Sequence, residues 1–81
     1  MIKILYFAWL RERTGTGEEA LALPEGVVTV GGLMAWLATR HPRAFEPKGA
    51  IRCAVNQDFA ELGAPVRDGD EVAFFPPVTG G

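Results

Sequence analysis

One segment in the middle of the chain repeats its apolar residues at helical spacing, and the segments on both sides of it resemble strands. The helical segment is VVTVGGLMAWLATRHP, and its apolar positions are Val30, Leu33, Met34 and Leu37. Thr29 is predicted to cap its first turn, and Pro42 bounds its end. A lone helix of this kind buries its apolar side against a sheet. We therefore expect an α+β domain with one main helix packed on one mixed sheet.

The strand-like segments lie at both ends of the chain and after the helix. A first strand is predicted over 2–9 with two largely apolar faces, namely Ile2, Ile4, Tyr6 and Ala8 on one and Lys3, Leu5, Phe7 and Trp9 on the other. The segment 18–24 predicts a strand that returns as a hairpin, and 51–56 predicts a third strand. A short edge strand near Phe59 and a last strand over 71–75 complete the set.

The order strand, strand, helix, strand, short strand, strand is that of a β-grasp, or ubiquitin-like, fold. If the first and last strands are neighbours, they lie parallel in the centre of the sheet. The length of 81 residues leaves room for one domain. We expect a β-grasp domain over 1–75 and a flexible tail over 76–81.

The charge balance and the cysteine content exclude several classes of function. A net charge of −2 without a run of Lys or Arg makes nucleic acid a poor partner. Cys53 is the single cysteine and His41 the single histidine, so neither an internal disulfide nor a zinc site is expected. The apolar run 4–10 is too short to span a bilayer and lacks a signal-peptide cleavage site. We expect a cytoplasmic protein without a membrane partner.

Cys53 and His41 are predicted to be structural. Cys53 alternates inward with Ile51 and Val55, and a buried cysteine behaves as a small apolar residue. His41 lies at the helix end, where a capping or surface role is expected. The sequence shows no nucleophile and base pair and no phosphate-binding loop, so an isolated catalytic role is not expected.

The chain ends in FFPPVTGG, a tail whose only ionised group is its terminal carboxylate. Pro76 and Pro77 cannot extend a sheet and favour a stiff spacer, and six extended residues reach about 20 Å. Gly80 and Gly81 lack a Cβ atom, so an enzyme can close a narrow channel around them. An uncharged tail enters a buried site at low desolvation cost, whereas the structural alternative is a frayed chain end.

A carboxylate becomes reactive when it is joined to the α-phosphate of ATP as an acyl-adenylate. A nucleophile then displaces AMP, and a nucleophile that delivers sulfur leaves a thiocarboxylate. A tail of this kind would be a sulfur donor held at the end of an arm.

The segments AVNQ, residues 54–57, and DGDEVAFFPPVTGG, residues 68–81, resemble the small-subunit family of molybdopterin synthase. The opening MIKILYFAWLRERTG is also similar to that family, and the resemblance covers essentially the whole chain. It implies a ubiquitin-like sulfur carrier whose Gly81 is adenylated by an E1-like enzyme that consumes ATP, and then thiocarboxylated. The tail would enter the large subunit of the synthase, in a heterotetramer of two small and two large subunits.

The same resemblance implies a chain that is a consumed and recharged co-substrate with no permanently bound cofactor. Two sulfur donations would convert cyclic pyranopterin monophosphate to molybdopterin, in molybdenum cofactor biosynthesis. The match to the family's C-terminal motif implies that the reactive group is on Gly81. It also implies that access to this group depends on the preceding tail residues, Gly80, Thr79, Val78, Pro77 and Pro76.

An apolar docking patch is predicted beside the tail. The alternation of the last strand sends two residues to each side, Val72 and Phe74 to one and Ala73 and Phe75 to the other. Phe7, Phe59 and Phe75 are expected together on an outer face, since a chain of this length has no second layer to cover it. Arg11 is expected nearby, where it could pair with acidic groups of a partner. The alternatives are rings that fill the core and an arginine in a solvated loop.

Three other functions remain open from the residues. A sulfur carrier for another pathway, such as thiamin synthesis or tRNA thiolation, uses the same tail chemistry. A ubiquitin-like protein modifier forms an isopeptide from the same adenylate. A plain binding module would not need Gly81.

Overall fold

The computed structural model describes residues 1–46 and 50–77, so the predicted tail residues 78–81 lie outside the described part. The elements in chain order are β1 (Ile2–Tyr6), α1 (Trp9–Thr14), β2 (Glu18–Leu21), α2 (Val30–Arg40), β3 (Arg52–Val55), β4 (Asp58–Ala60) and β5 (Glu71–Phe75). The strands form one sheet in the order β2-β1-β5-β3-β4. The two central strands, β1 and β5, are parallel, and the other pairs are antiparallel. The predicted central parallel pair is confirmed.

Helix α2 forms where the apolar spacing predicted it. The side-chain oxygen of Thr29 accepts a hydrogen bond from the backbone N–H of Gly32 at 3.1 Å, which satisfies one donor of the first turn. The helix buries Leu33, Met34 and Leu37 in a core shared with the inward residues of the sheet. Its C-cap is His41, whose N–H donates to the carbonyl of Leu37 at 2.9 Å.

The first strand is shorter than predicted, because the chain turns after Phe7. Ala8 has φ 53° and ψ −132°, and the N–H of Leu10 donates to the carbonyl of Phe7 at 3.1 Å. This turn starts α1 at Trp9 and lets Leu10 become fully buried. The prediction of a strand to residue 9 was wrong, because the apolar run 7–10 continues the alternation of the strand without a Gly or Pro to mark the turn.

The segment that follows α2 contributes to the core. Ala44 and Phe45 are fully buried, and the ring of Phe45 lies edge-to-face against Phe74 at 5.3 Å and against Tyr6 at 6.2 Å between centroids. This loop segment therefore closes the core beside the ends of the two central strands.

Candidate docking face and tail base

The two faces of β5 lie in different environments, as its alternation predicted. Val72 and Phe74 have no exposed surface and pack under α2. Ala73 and Phe75 are half-buried on the opposite side. Residues on that opposite side keep solvent exposure, since Leu5 and Ala73 are partly exposed and Phe59 is 84% exposed. One strand therefore faces a closed core on one side and an open surface on the other.

The open side of the sheet is apolar in its centre. The strand registers place Phe59 opposite Ala54, Ala54 opposite Ala73, and Ala73 opposite Leu5. We call these four residues together with Phe75 the open face. Small residues at its middle are flanked by larger apolar residues, so the open face can receive an apolar surface of a partner.

The predicted aromatic patch is partly assembled. The rings of Phe59 and Phe75 meet edge-to-face at 5.8 Å, and Phe59 is 84% exposed. Phe7 lies just beyond the end of β1, where its N–H donates to the carbonyl of Phe74 at 3.1 Å. Its side chain is 48% exposed. Phe7 thus lies at the same end of the sheet as the pair, and the structure describes no ring contact between it and Phe75. The role of the three rings in partner binding stays a prediction.

The tail begins at the end of the central strand. Pro76 and Pro77 follow Phe75 outside any strand, and Pro77 is exposed. Because β1 and β5 are parallel, this exit lies beside the turn that leads into α1. The predicted reactive and access residues Val78, Thr79, Gly80 and Gly81 lie outside the described residues.

Two arginines of α1 lie at the tail exit and have different surroundings. Arg13 donates to the carbonyl oxygens of Arg43 at 3.2 Å and Glu46 at 2.6 Å, and its guanidinium stacks 4.4 Å from the centroid of the Trp9 ring. Arg11 is exposed and lies over Gly17, where an added Cβ would come within 3.2 Å of its Nε atom. Arg13 therefore fastens α1 to the following loop, and the predicted partner role of Arg11 stays open.

A partly buried polar cluster on the inner side was not foreseen from the sequence. One carboxylate oxygen of Glu19 accepts a hydrogen bond from the hydroxyl of Tyr6 at 2.8 Å and lies 3.0 Å from His41 Nε2. The other oxygen lies 3.5 Å from the guanidinium of Arg40. The cluster joins β1, β2 and the end of α2. His41 occupies the predicted capping position, but its imidazole also closes this cluster.

The cluster shifts the pKa values of its members in opposite directions. Burial, together with the hydrogen bond to Glu19, raises the pKa of Tyr6, so this phenol stays protonated. Burial alone would raise the pKa of Glu19, but the hydrogen bonds from Tyr6 and His41 and the charge of Arg40 outweigh it and lower that pKa. The carboxylate therefore stays ionised as the common acceptor. No sequence signal marks this cluster, since its members are 13 and 22 positions apart.

Cys53 is structural, as predicted. It is 5% exposed, its thiol donates to the carbonyl of Ala60 at 3.0 Å, and burial raises its pKa. A thiol in this setting does not supply the thiolate that sulfur chemistry needs. Over residues 1–46 and 50–77, no group of three or more His, Cys, Asp or Glu side chains could hold a metal ion. Neither α1 nor α2 is long and apolar enough to cross a membrane.

Comparisons with known proteins agree with this geometry. The model of the ThiS family matches residues 4–81. The chain is 45% identical to the molybdopterin synthase sulfur carrier subunit of Escherichia coli (strain K12), over the whole of both chains. The small archaeal modifier protein SAMP1 of Haloferax volcanii has a TM-score of 0.78 at 32% identity, with 99% of this chain and 98% of that chain covered.

A second similar structure is a complex of subunits 1 and 2 of the molybdopterin-converting factor of Helicobacter pylori 26695. One chain of it has a TM-score of 0.67 at 21% identity, with 99% and 97% coverage, which shows the shared fold alone. The predicted β-grasp fold and the resemblance to the small-subunit family are confirmed. The chain belongs to the ThiS family, together with the molybdopterin synthase sulfur carrier subunits.

Proposed function

We propose that the chain is the sulfur carrier subunit of molybdopterin synthase in molybdenum cofactor biosynthesis. The observation that carries this proposal is a central strand that ends in Phe75, beside an open apolar face, and continues directly into the Pro76-Pro77 spacer. The identity of 45% with the Escherichia coli sulfur carrier subunit over the whole chain supports it. The domain positions the tail, and the reactive atom is on the tail.

The chemistry that we propose takes place at Gly81. An E1-like enzyme joins its carboxylate to the α-phosphate of ATP with release of pyrophosphate, and a sulfur nucleophile then displaces AMP. The product is a C-terminal thiocarboxylate. The chain itself holds no permanent cofactor in this scheme, and the activating enzyme binds the nucleotide.

The large subunit of the synthase is the proposed acceptor of the tail, in a heterotetramer of two small and two large subunits in the cytoplasm. We propose that both the activating enzyme and the large subunit cover the open face, so that they bind in turn. A half-buried ring at Phe75 with an exposed ring at Phe59 supports a docking role, since exposed apolar patches mark partner sites.

Intact mass spectrometry tests the proposed chemistry. The chain is incubated with the E1-like enzyme, ATP and a sulfur donor, and a variant that lacks Gly81 is treated in parallel. We expect a sulfur-for-oxygen exchange on the full chain only. No exchange on the full chain would contradict the proposal.

A second candidate function is protein modification. The 32% identity with the small archaeal modifier protein SAMP1 favours it, because a modifier and a sulfur carrier start from the same adenylate. Lysine conjugates of the chain in cells, absent when Gly81 is deleted, would establish this function. Sulfur exchange without such conjugates would leave the carrier function alone.

A further inference from the structure

The arginines of the chain are concentrated around the tail exit. Arg52 is the register partner of Phe75, the last residue of β5. Arg11 and Arg13 lie on α1, which follows the same end of the sheet. Arg13 donates to the carbonyl oxygen of Arg43, so this residue lies at that end as well. Four of the six arginines therefore surround the point at which the tail leaves the domain.

Acidic residues dominate the opposite end of the two central strands. Its charged side chains are Lys3, Asp58, Arg67, Asp68, Asp70 and Glu71. One of these charges is offset, because the amino group of Met1 pairs with Asp68. At the tail end, the four arginines are accompanied, among the described residues, by three exposed glutamates, Glu12, Glu18 and Glu46. Although the net charge of the chain is −2, its charged side chains are therefore distributed unevenly. The tail end carries more basic than acidic side chains among the described residues, and the opposite end carries more acidic ones.

The separation of the two ends decides which charge a partner experiences. A strand of five residues such as β5 is about 16 Å long, which is roughly two Debye lengths at physiological salt. A partner docked at the tail exit therefore interacts with the basic end, and the acidic end is screened. Six residues in an extended conformation would span about 20 Å beyond Phe75, so arginines at the tail exit would face the rim of the site that receives the tail and not the reacting carboxylate.

We propose that the tail end of the domain is a basic collar that fits an acidic rim around the tail-entry site of the partner and speeds association. Arg11 and Arg43 are the best candidates for this role, because the side chains of both are exposed. Arg13, in contrast, is held by hydrogen bonds to two backbone carbonyls. The occupant is an acidic protein surface, since phosphate groups in a pocket at the far end of the tail lie beyond the reach of the collar. This inference rests on the proposed function, because it uses the large subunit as the partner.

A matched pair of variants tests the collar. Arg43→Gln removes one positive charge at the tail end. It keeps the described hydrogen bond of this residue, in which its backbone carbonyl accepts from Arg13. Arg67→Gln removes the same charge from an exposed residue at the acidic end. Association with purified, immobilised large subunit is measured at about 0.15 M and about 1 M NaCl, where the Debye length is roughly 8 Å and 3 Å. We expect Arg43→Gln to lower the association rate about threefold at the lower salt concentration only, and Arg67→Gln to leave it unchanged or only slightly lower.

Each other outcome contradicts the proposal in a distinct way. Equal rates for the two variants would show that the collar does not steer docking. A loss that persists at high salt would show a local contact instead of a long-range charge effect. Failure of the unsubstituted chain to bind the large subunit at either salt concentration would contradict the proposed function, and the collar with it.

Discussion

Phe74 and Phe75 are neighbours of the same residue type, yet they lie on opposite faces of one strand. Phe74 has no exposed surface and packs edge-to-face on the buried Phe45. Phe75 is half-buried and packs edge-to-face on Phe59, which is 84% exposed. One face of the central strand therefore stabilises the fold, and the other stays open for the partner docking that we propose.

The substitution with the largest expected effect lies on the closed side of β5. Phe74→Ala should lower the free energy of unfolding by about 3–5 kcal/mol, because it leaves a cavity beside Phe45 and Tyr6. Urea denaturation followed by circular dichroism measures the loss. Phe74→Leu, which keeps most of the volume, should lose clearly less. A loss below about 1 kcal/mol for the alanine variant would show that Phe74 is not a core residue.

The matching substitution tests the open side. Phe75→Ala should weaken binding to the large subunit and to the activating enzyme by about 2 kcal/mol, roughly 30-fold in Kd. Its unfolding free energy should fall by about 1–2 kcal/mol, well below the loss at Phe74. Leu62→Ala is the control, because Leu62 is an exposed apolar residue away from the open face. Isothermal titration calorimetry with each partner measures the two affinities. Unchanged affinity for both partners would contradict a shared docking face.

Glu19 lies on the closed side of the sheet, so its substitution should change the stability of the fold and leave partner binding unchanged. Glu19→Gln should lower the free energy of unfolding at pH 7 by about 1–2 kcal/mol through loss of charged hydrogen bonds with Tyr6 and His41. The pKa of Glu19 is lowered in the fold, so its stabilisation is complete above the ordinary glutamate value of about 4.3. It is lost as the pH falls through the lower folded value.

Denaturation of both chains between about pH 7 and pH 2.5 checks this sign. The difference between the unsubstituted chain and Glu19→Gln should shrink as the solution becomes more acidic. Glu18→Gln is the matched control, since Glu18 is exposed and lies 3.5 Å from Lys3 in a solvated pair. A difference that stays constant over this pH range would contradict the role of the Glu19 charge.

The smallest effect concerns the turn between β1 and α1. Ala8→Gly should raise the free energy of unfolding by about 1 kcal/mol, because φ 53° with ψ −132° is a conformation that glycine adopts without strain. Affinity for the large subunit should not change, since the backbone path from Phe7 is kept. The same denaturation assay measures the gain, and a loss of stability would show that Ala8 is not strained.

The sequence was most informative where one periodicity ran unbroken between clear end signals. The cap at Thr29, the apolar spacing of α2 and the alternation of β5 each follow from local rules, and the structure has them. The order of these elements then sufficed for the β-grasp topology. The inward position of Cys53 followed in the same way.

The sequence was least informative where tertiary contacts decide. The turn at Ala8 carries no glycine, so nothing marked the end of β1. Phe45 lies in a segment without periodicity, and only its distant neighbours Phe74 and Tyr6 make it a core residue. The Glu19 cluster likewise joins residues that are far apart in sequence. For the proposed docking face, the residue types alone indicated an apolar patch. The contact between Phe59 and Phe75 could be seen only from the strand register of the structure.

Sulfur transfer from the thiocarboxylated chain to the pterin precursor is the decisive measurement for the proposed carrier function. The thiocarboxylated chain is mixed with the large subunit and cyclic pyranopterin monophosphate, and its intact mass is followed together with molybdopterin formation. We expect the chain to return to the carboxylate form as molybdopterin appears, with two chains discharged for each molybdopterin. A chain that keeps its sulfur in the presence of both would contradict the role of this protein as the sulfur carrier of molybdopterin synthase.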